Sequence, residues 1–92
     1  MTQENPLIGR HALVTGAGNG LGRAESLALA GLGAHVVVQD IRAEFADETA
    51  QKIVDAGGSA ETLVCDVADL DTVMAAIAGF ETAGRGLDIL IN

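Results

Sequence analysis

Between an apolar run at His11 to Thr15 and a helical pattern that begins at Gly20 lies the turn Thr15-Gly16-Ala17-Gly18-Asn19-Gly20-Leu21-Gly22. Glycines at 16, 20 and 22 give the spacing Gly-x-x-x-Gly-x-Gly, and Asp40 closes the next apolar run. A strand, a glycine turn, a helix and a second strand ending in a carboxylate make a dinucleotide-binding unit. Gly16 lets the chain turn sharply out of the strand. Gly20 lets a helix N-terminus approach a pyrophosphate, whose charge is favoured by unpaired amides and the helix dipole. Gly22, lacking a Cβ, lets the helix pack against the strand. The commoner spacing G-x-G-x-x-G fails, because Leu21 or Arg23 stands where its third glycine belongs. No Gly-Lys-Ser/Thr of a P-loop is present either.

The remainder of the chain continues the alternation. Residues 1–10 are polar, contain Pro6 and read as a lead-in. Gly20 to Leu32 places Leu21, Ala24, Leu27, Ala28 and Leu32 at helical spacing, with Gly33 as the stop. His35 to Gln39 reads as a second buried strand. A helix over 43–56 carries Phe45, Thr49, Ile53 and Ala56 on one stripe, with Glu48 and Lys52 four apart in the favourable order. Gly57-Gly58 ends it. Glu61 to Cys65 reads as a third strand. Asp69 caps a helix over about 70–83 whose inner stripe is Val73, Ile77 and Phe80. Gly84 and Gly86 bracket Arg85 in the exit turn, and Leu87 to Ile91 reads as a fourth strand.

Such alternation predicts an α/β fold, a partial doubly wound parallel sheet with strand order 3-2-1-4 and helices on both faces. The first two helices fall on one face and the third on the other. Ligands of open sheets of this type bind at the switch point between strands 1 and 4.

Composition narrows the function classes. The chain has 92 residues, so it is one domain or part of one. It is 49% hydrophobic, with 12 glycines and no aromatics beyond Phe45 and Phe80, which suits helices packed on a buried parallel sheet. A formal charge of −8 with five basic residues argues against binding to nucleic acid or to an anionic membrane surface. Cys65, the single cysteine, makes no internal disulfide, and no Cys/His cluster has metal-ligand spacing. A cytoplasmic location is expected. The start, Met1 to Gly9, lacks the pattern of a signal peptide, and no apolar run is long enough for a membrane span. His11 and His35 read as structural or surface residues, Cys65 as a small buried hydrophobe, Asp88 as a strand-entry residue and the two phenylalanines as core.

The motif Thr15-Gly16-x-x-x-Gly20-x-Gly22 resembles the signature of the short-chain dehydrogenase/reductase family. It fits the single-domain dehydrogenase branch better than the extended epimerase branch, which places glycine at 19 rather than 20. Three further features agree: Asp40 after strand 2, Cys65-Asp66-Val67 after strand 3, and Leu87-Asp88-Ile89-Leu90-Ile91-Asn92 in strand 4. The last is similar to the start of the family's Asn-Asn-Ala-Gly segment. The likeness spans essentially the whole chain and implies a Rossmann sheet, read over 1–92 as the N-terminal part of one NAD(P)-binding domain.

It also implies roles. Backbone groups around Gly16, Asn19, Gly20 and Leu21 contact ribose and pyrophosphate, and Gly22 supports the turn. Asp40 accepts hydrogen bonds from the adenosine ribose, Asp66 and the Val67 backbone hold the adenine, and Asn92 lies under the cofactor. With that contact and a helix cap accounting for Asp66 and Asp69, a metal site with Asp71 is not expected. A carboxylate at 40 pairs with a free 2′-hydroxyl and repels a 2′-phosphate, so NAD is expected ahead of NADP. Asn19 is neutral where phosphate-binding relatives often place a basic residue, although Arg42 lies near enough in sequence to reach a phosphate.

The family's hydride transfer between an alcohol and a carbonyl rests on Tyr-x-x-x-Lys with an upstream Ser. This chain has no Tyr, its only Lys is Lys52 on an outer helix, and Ser26 and Ser59 match no catalytic position. It therefore offers no catalytic residue and is expected to be inactive alone. The small alcohol or ketone substrate and a homo-oligomeric state belong to a longer parent enzyme. These 92 residues alone are expected to be marginally stable or to self-associate, the apolar edge at Leu87 to Ile91 inviting pairing with another chain. The other readings are a non-catalytic nucleotide-binding module and an interaction domain that binds no nucleotide.

Overall fold

A computed structural model describes residues 5–82 and 86–92. The elements are β1 (His11–Val14), α1 (Gly20–Gly31), β2 (His35–Asp40), α2 (Ala43–Asp55), β3 (Ser59–Val64), α3 (Leu70–Thr82) and β4 (Ile89–Ile91). Each expected element is present, with ends shifted by one or two residues. The first four residues of the lead-in and the Gly84-Arg85 part of the exit turn lie outside the described residues.

The four strands form one parallel sheet of order β3-β2-β1-β4, as the alternation predicts. Leu13 sits level with Val37 and with Leu90, and Val37 with Glu61. Because side chains alternate along a strand, the sheet has two distinct faces. On one, Ala12, Val14, Val36 and Val38 join Ala17, Ala30, Ala34, Ala46 and Ile53 in a core beneath α1 and α2. The other carries Leu13 and Val37, both fully buried. β4 lies on the far side of β1 from β2, so a right-handed crossover from β3 carries α3 over this second face. Its Val73, Ile77 and Phe80 are the half-buried positions expected of the inner stripe, while Leu70 and Met74 are exposed. Leu90 at the β4 edge is also largely exposed.

Of the residues at helical spacing in α1, Leu27 packs against the core, but the apolar spacing does not mark the face that is buried most deeply. Leu21 is 75% exposed and Leu32 42%, whereas the buried residues of the helix are Gly22, Ser26 and Ala30. Small side chains face inward because the helix runs very close to the end of β1. A Cβ on Gly22 would collide with the Gly16 carbonyl. The buried Ser26 hydroxyl donates to the Gly22 carbonyl at 2.8 Å, so its polarity is satisfied within the helix. α2 packs more conventionally through Ala46, Thr49 and Ile53. Full burial of Ile53 stabilises by about 1.5–3 kcal/mol, against about 0.8 kcal/mol for the methyl of Ala30.

The described part of the lead-in, from residue 5, is anchored: Leu7 donates its N–H to the Leu32 carbonyl at 2.8 Å and packs on the core. At the N-terminal strand ends, the rings of His11 and His35 meet edge-on at 5.6 Å. His35 Nδ1 lies 2.5 Å from Ser59 Oγ and its Nε2 lies 3.6 Å from Glu61. Asp88 accepts the His11 N–H at 2.9 Å and pairs with Arg10 at 3.5 Å, which fits its strand-entry role.

Asp69 caps α3 as expected. Its Oδ2 accepts the Thr72 hydroxyl at 2.7 Å and its Oδ1 the Thr72 N–H at 3.2 Å. These bonds, the hydroxyl first, hold the Asp69 carboxyl below its ordinary pKa. A carboxyl lowered on folding stabilises the folded state above the ordinary carboxylate range, and that contribution fades as pH falls through the lowered value. Asp69→Ala is therefore expected to lower the melting temperature at pH 7 and to have a smaller effect in strong acid. Thermal melts of both proteins across that range check it.

Candidate functional site

The C-terminal ends of the four strands gather every residue that the sequence marks as a site residue. β1 leads into the turn, and Gly16 and Gly20 both adopt positive φ, 60° and 57°. Side chains are strained there, so the glycine spacing has a direct backbone cause. Space is open around both: an added Cβ would meet nothing within 4 Å at either. Asn19 is extended at the helix N-cap and exposed, with no side-chain capping bond. The first bond into the helix runs from the Arg23 N–H to the Asn19 carbonyl, leaving the amides of Gly20, Leu21 and Gly22 ahead of it. No acidic residue stands in the first turn of α1. An open turn with free first-turn amides and no acidic side chain in the first turn of α1 suits a pyrophosphate.

Asp40, at the end of β2, is half-buried beneath this turn. Its Oδ2 accepts the Gly18 N–H at 2.9 Å and its Oδ1 the Arg42 N–H at 3.0 Å. An ionised carboxylate has roughly four acceptor positions, so these two bonds leave capacity for ligand hydroxyls. Arg42 itself turns aside, its guanidinium 5.0 Å from the centre of the Phe45 ring.

Gly18 went unmarked in the glycine spacing, yet it is held through both its N–H and its carbonyl. Its N–H is held by Asp40, and its carbonyl accepts from Arg23 and, at 3.1 Å, from the Thr49 hydroxyl. Arg23 also donates through Nε to Thr49 Oγ1 at 2.9 Å and pairs with Glu48. Glu48 thus pairs across to α1 rather than with Lys52 along its own helix, because Arg23 presents a charge already fixed by other bonds. A Cβ on Gly18 would lie 2.6 Å from both Asp40 Oδ2 and Phe45 Cβ. The signal was present in the sequence as one more glycine, but only the fold-back onto β2 gives it meaning.

Gln39 was missed as well. It is 3% exposed, and its side chain joins the turn to the end of β3. Oε1 accepts the Gly16 N–H at 3.0 Å and Nε2 donates to the Cys65 carbonyl at 2.5 Å. Next to Cys65, Asp66 and Val67 are exposed, and Asp66 Oδ1 accepts the Ala68 N–H at 2.9 Å in a tight local turn. Asn92, exposed, follows β4, whose Ile91 carbonyl accepts the Thr15 N–H at 2.9 Å. The turn, Asp40, the Asp66-Val67 segment and Asn92 therefore share one edge. Cys65 is half-buried. The cavities of 160 and 230 Å³ near Ala30, Gly57 and Gly58 lie at the other end of the helices and contain none of these residues.

Residues 10–92 match the family model described as short chain dehydrogenase. A hydroxyacyl-CoA dehydrogenase of Mycobacterium tuberculosis is 41% identical over 96 residues, covering 99% of this chain and 30% of that protein. Among solved structures, a citronellol catabolism dehydrogenase of Pseudomonas aeruginosa superposes with a TM-score of 0.91 at 34% identity, over 100% of this chain and 38% of that one. A metagenomic short-chain oxidoreductase in complex with NADP gives a TM-score of 0.86 at 38% identity, over 91% of this chain and 38% of that one. The chain spans about a third of the length of the curated relatives it matches.

The crowding at Gly18 has a direct consequence. Gly18→Ala forces Asp40 or α2 to move, and overpacking of this kind costs about 1–3 kcal/mol. Chemical denaturation should register that loss, while Ala24→Ser on the exposed side of α1 should leave the midpoint nearly unchanged.

Proposed function

This chain belongs to the short-chain dehydrogenase family, and on that premise we propose that it is the dinucleotide-binding N-terminal portion of an oxidoreductase that interconverts an alcohol and a carbonyl, using NAD in preference to NADP. The observation that carries the cofactor preference is the Asp40 carboxylate, fixed by the Gly18 N–H at 2.9 Å under the glycine turn. A carboxylate there accepts from the 2′- and 3′-hydroxyls of an adenosine ribose and repels a 2′-phosphate. One structural relative was solved with NADP, so family membership leaves the choice open, and the local charge at Asp40 is what supports NAD. Arg42, the nearest cation along the chain, is engaged with Phe45 and would have to leave that ring to meet a phosphate.

The bound dinucleotide supplies hydride transfer, and this chain's residues bind and orient it. The amides of Gly20, Leu21 and Gly22, with the backbone of Gly16 and Asn19, meet the pyrophosphate and its ribose. Asp66 and the Val67 backbone border the adenine, and Asn92 lies beneath the cofactor at the end of β4. The acid–base groups of the reaction are not among these residues, since the chain has no Tyr and a single Lys, Lys52 on the exposed side of α2. Binding is thus the part of the chemistry assigned to these 92 residues, and alcohol–carbonyl turnover to the parent enzyme.

Titration with NADH and NADPH, followed by nicotinamide fluorescence, tests this reading. NADH is expected to bind at least about tenfold more tightly, a difference of about 1.4 kcal/mol. Asp40→Ala should weaken NADH binding and narrow the gap. Equal affinities for the two cofactors in the unmodified protein would refute the NAD assignment, and binding of neither would refute the dinucleotide reading.

A further inference from the structure

We infer that Gln39 is a positioning residue that sets the distance between the glycine turn and the Asp66-Val67 segment, and so decides whether one ligand can reach both. The inference rests on the dinucleotide reading above but concerns a residue that contacts no part of the ligand in it.

Gln39 is the penultimate residue of β2, and its side chain is 3% exposed. A buried primary amide must place both its oxygen and its nitrogen against partners. Here Oε1 takes the Gly16 N–H at 3.0 Å and Nε2 gives a hydrogen to the Cys65 carbonyl at 2.5 Å. Only one orientation of the amide satisfies both, because the flipped form sets oxygen against oxygen and N–H against N–H. The two anchor points belong to the two halves of the edge: Gly16 opens the turn, and Cys65 immediately precedes Asp66. Main-chain bonds reinforce the same bridge from either side of the residue. The Gln39 carbonyl accepts the Ala17 N–H at 2.7 Å, and the Asp40 carbonyl accepts the Cys65 N–H at 3.2 Å. The strand itself thus holds both segments, and the Gln39 amide spans directly between them.

No shorter or apolar side chain makes this link. Asn lacks one methylene and cannot span it. Met fills a similar volume but leaves a buried N–H and a buried carbonyl without their partners, which the structure can relieve only by moving the turn, the β3 end or both. The effect on binding should then depend on ligand length. ADP-ribose and NADH engage the pyrophosphate turn and the adenine border together. Adenosine engages Asp40 and the adenine border without the pyrophosphate.

The test compares the unmodified protein with Gln39→Met, using NADH, ADP-ribose and adenosine as probes in calorimetric or fluorescence titrations. About tenfold weaker binding of NADH and ADP-ribose, with adenosine changed by less than about twofold, is the expected result. Unchanged NADH affinity in Gln39→Met overturns the inference and leaves the dinucleotide reading standing. Parallel losses for all three ligands, tracking a fall in melting temperature, also overturn it, since that pattern reports a purely structural role. Failure of the unmodified protein to bind NADH and adenosine sinks the dinucleotide reading itself. Should Gln39→Met not fold, amide hydrogen exchange at Gly16 in the unmodified protein decides the matter. Slow exchange before ligand is added supports the bridge, and exchange at the rate of an open turn overturns it.

Discussion

How closely α1 can lie to the end of β1 governs the rest of this structure. Gly22 sits against the Gly16 carbonyl with no room for a Cβ, and Ser26 and Ala30 continue the same contact down the helix. That approach brings the free amides of the first turn over the strand ends, where a dipole of this size matters only within a turn's length. It also places Arg23 near Thr49 and Glu48 on α2. A larger residue on the inner stripe would lift the helix and loosen all of these contacts together. Close approach at Gly22 and Ser26 seats the N-terminal half of α1, with Leu27, Leu29 and Ala30 packing on the core further along, whereas Ile53 and Thr49 seat α2 by conventional burial.

Three side chains converge on one residue of the turn, Gly18. Asp40 accepts the Gly18 N–H, and Arg23 and Thr49 donate to the Gly18 carbonyl. Asp40 consequently has two tasks, one structural and one proposed toward a ligand, and its two oxygens already carry one backbone bond each. A carboxylate fixed in this way needs little reorganisation when hydroxyl donors arrive, which favours binding by avoiding an ordering cost.

The strand order and the sequence of elements were legible because short continuous apolar runs, buried on both faces in β1 and β2, alternate with period-3.6 patterns and glycines at the boundaries. The motif residues were legible because Gly16 and Gly20 need positive φ and Gly22 needs the absence of a side chain. The most buried face of α1 is not marked by its apolar spacing, because hydropathy ranks leucine as interior while close helix–sheet contact selects for size. Leu21 and Leu32 score well and lie outside. Gly18 and Gln39 were silent for a different reason. Their importance depends on which backbone groups of β3 and α2 arrive beside them, and a linear pattern carries no record of that. The same holds for Glu48, whose partner Arg23 is 25 positions away.

The small-residue stripe of α1 carries a further consequence for how such a segment can change over time. A helix advances about 100° per residue, since 3.6 residues complete a turn. One residue gained or lost between Gly22 and Ser26 would swing Ser26 and Ala30 away from the sheet and bring bulkier neighbours against the backbone of β1. Substitutions on the outer side are cheap by comparison, and the Leu21, Ala24 and Ala28 positions face no such limit. This part of the chain can therefore drift in composition but not in length, and alignments through it should carry no gaps.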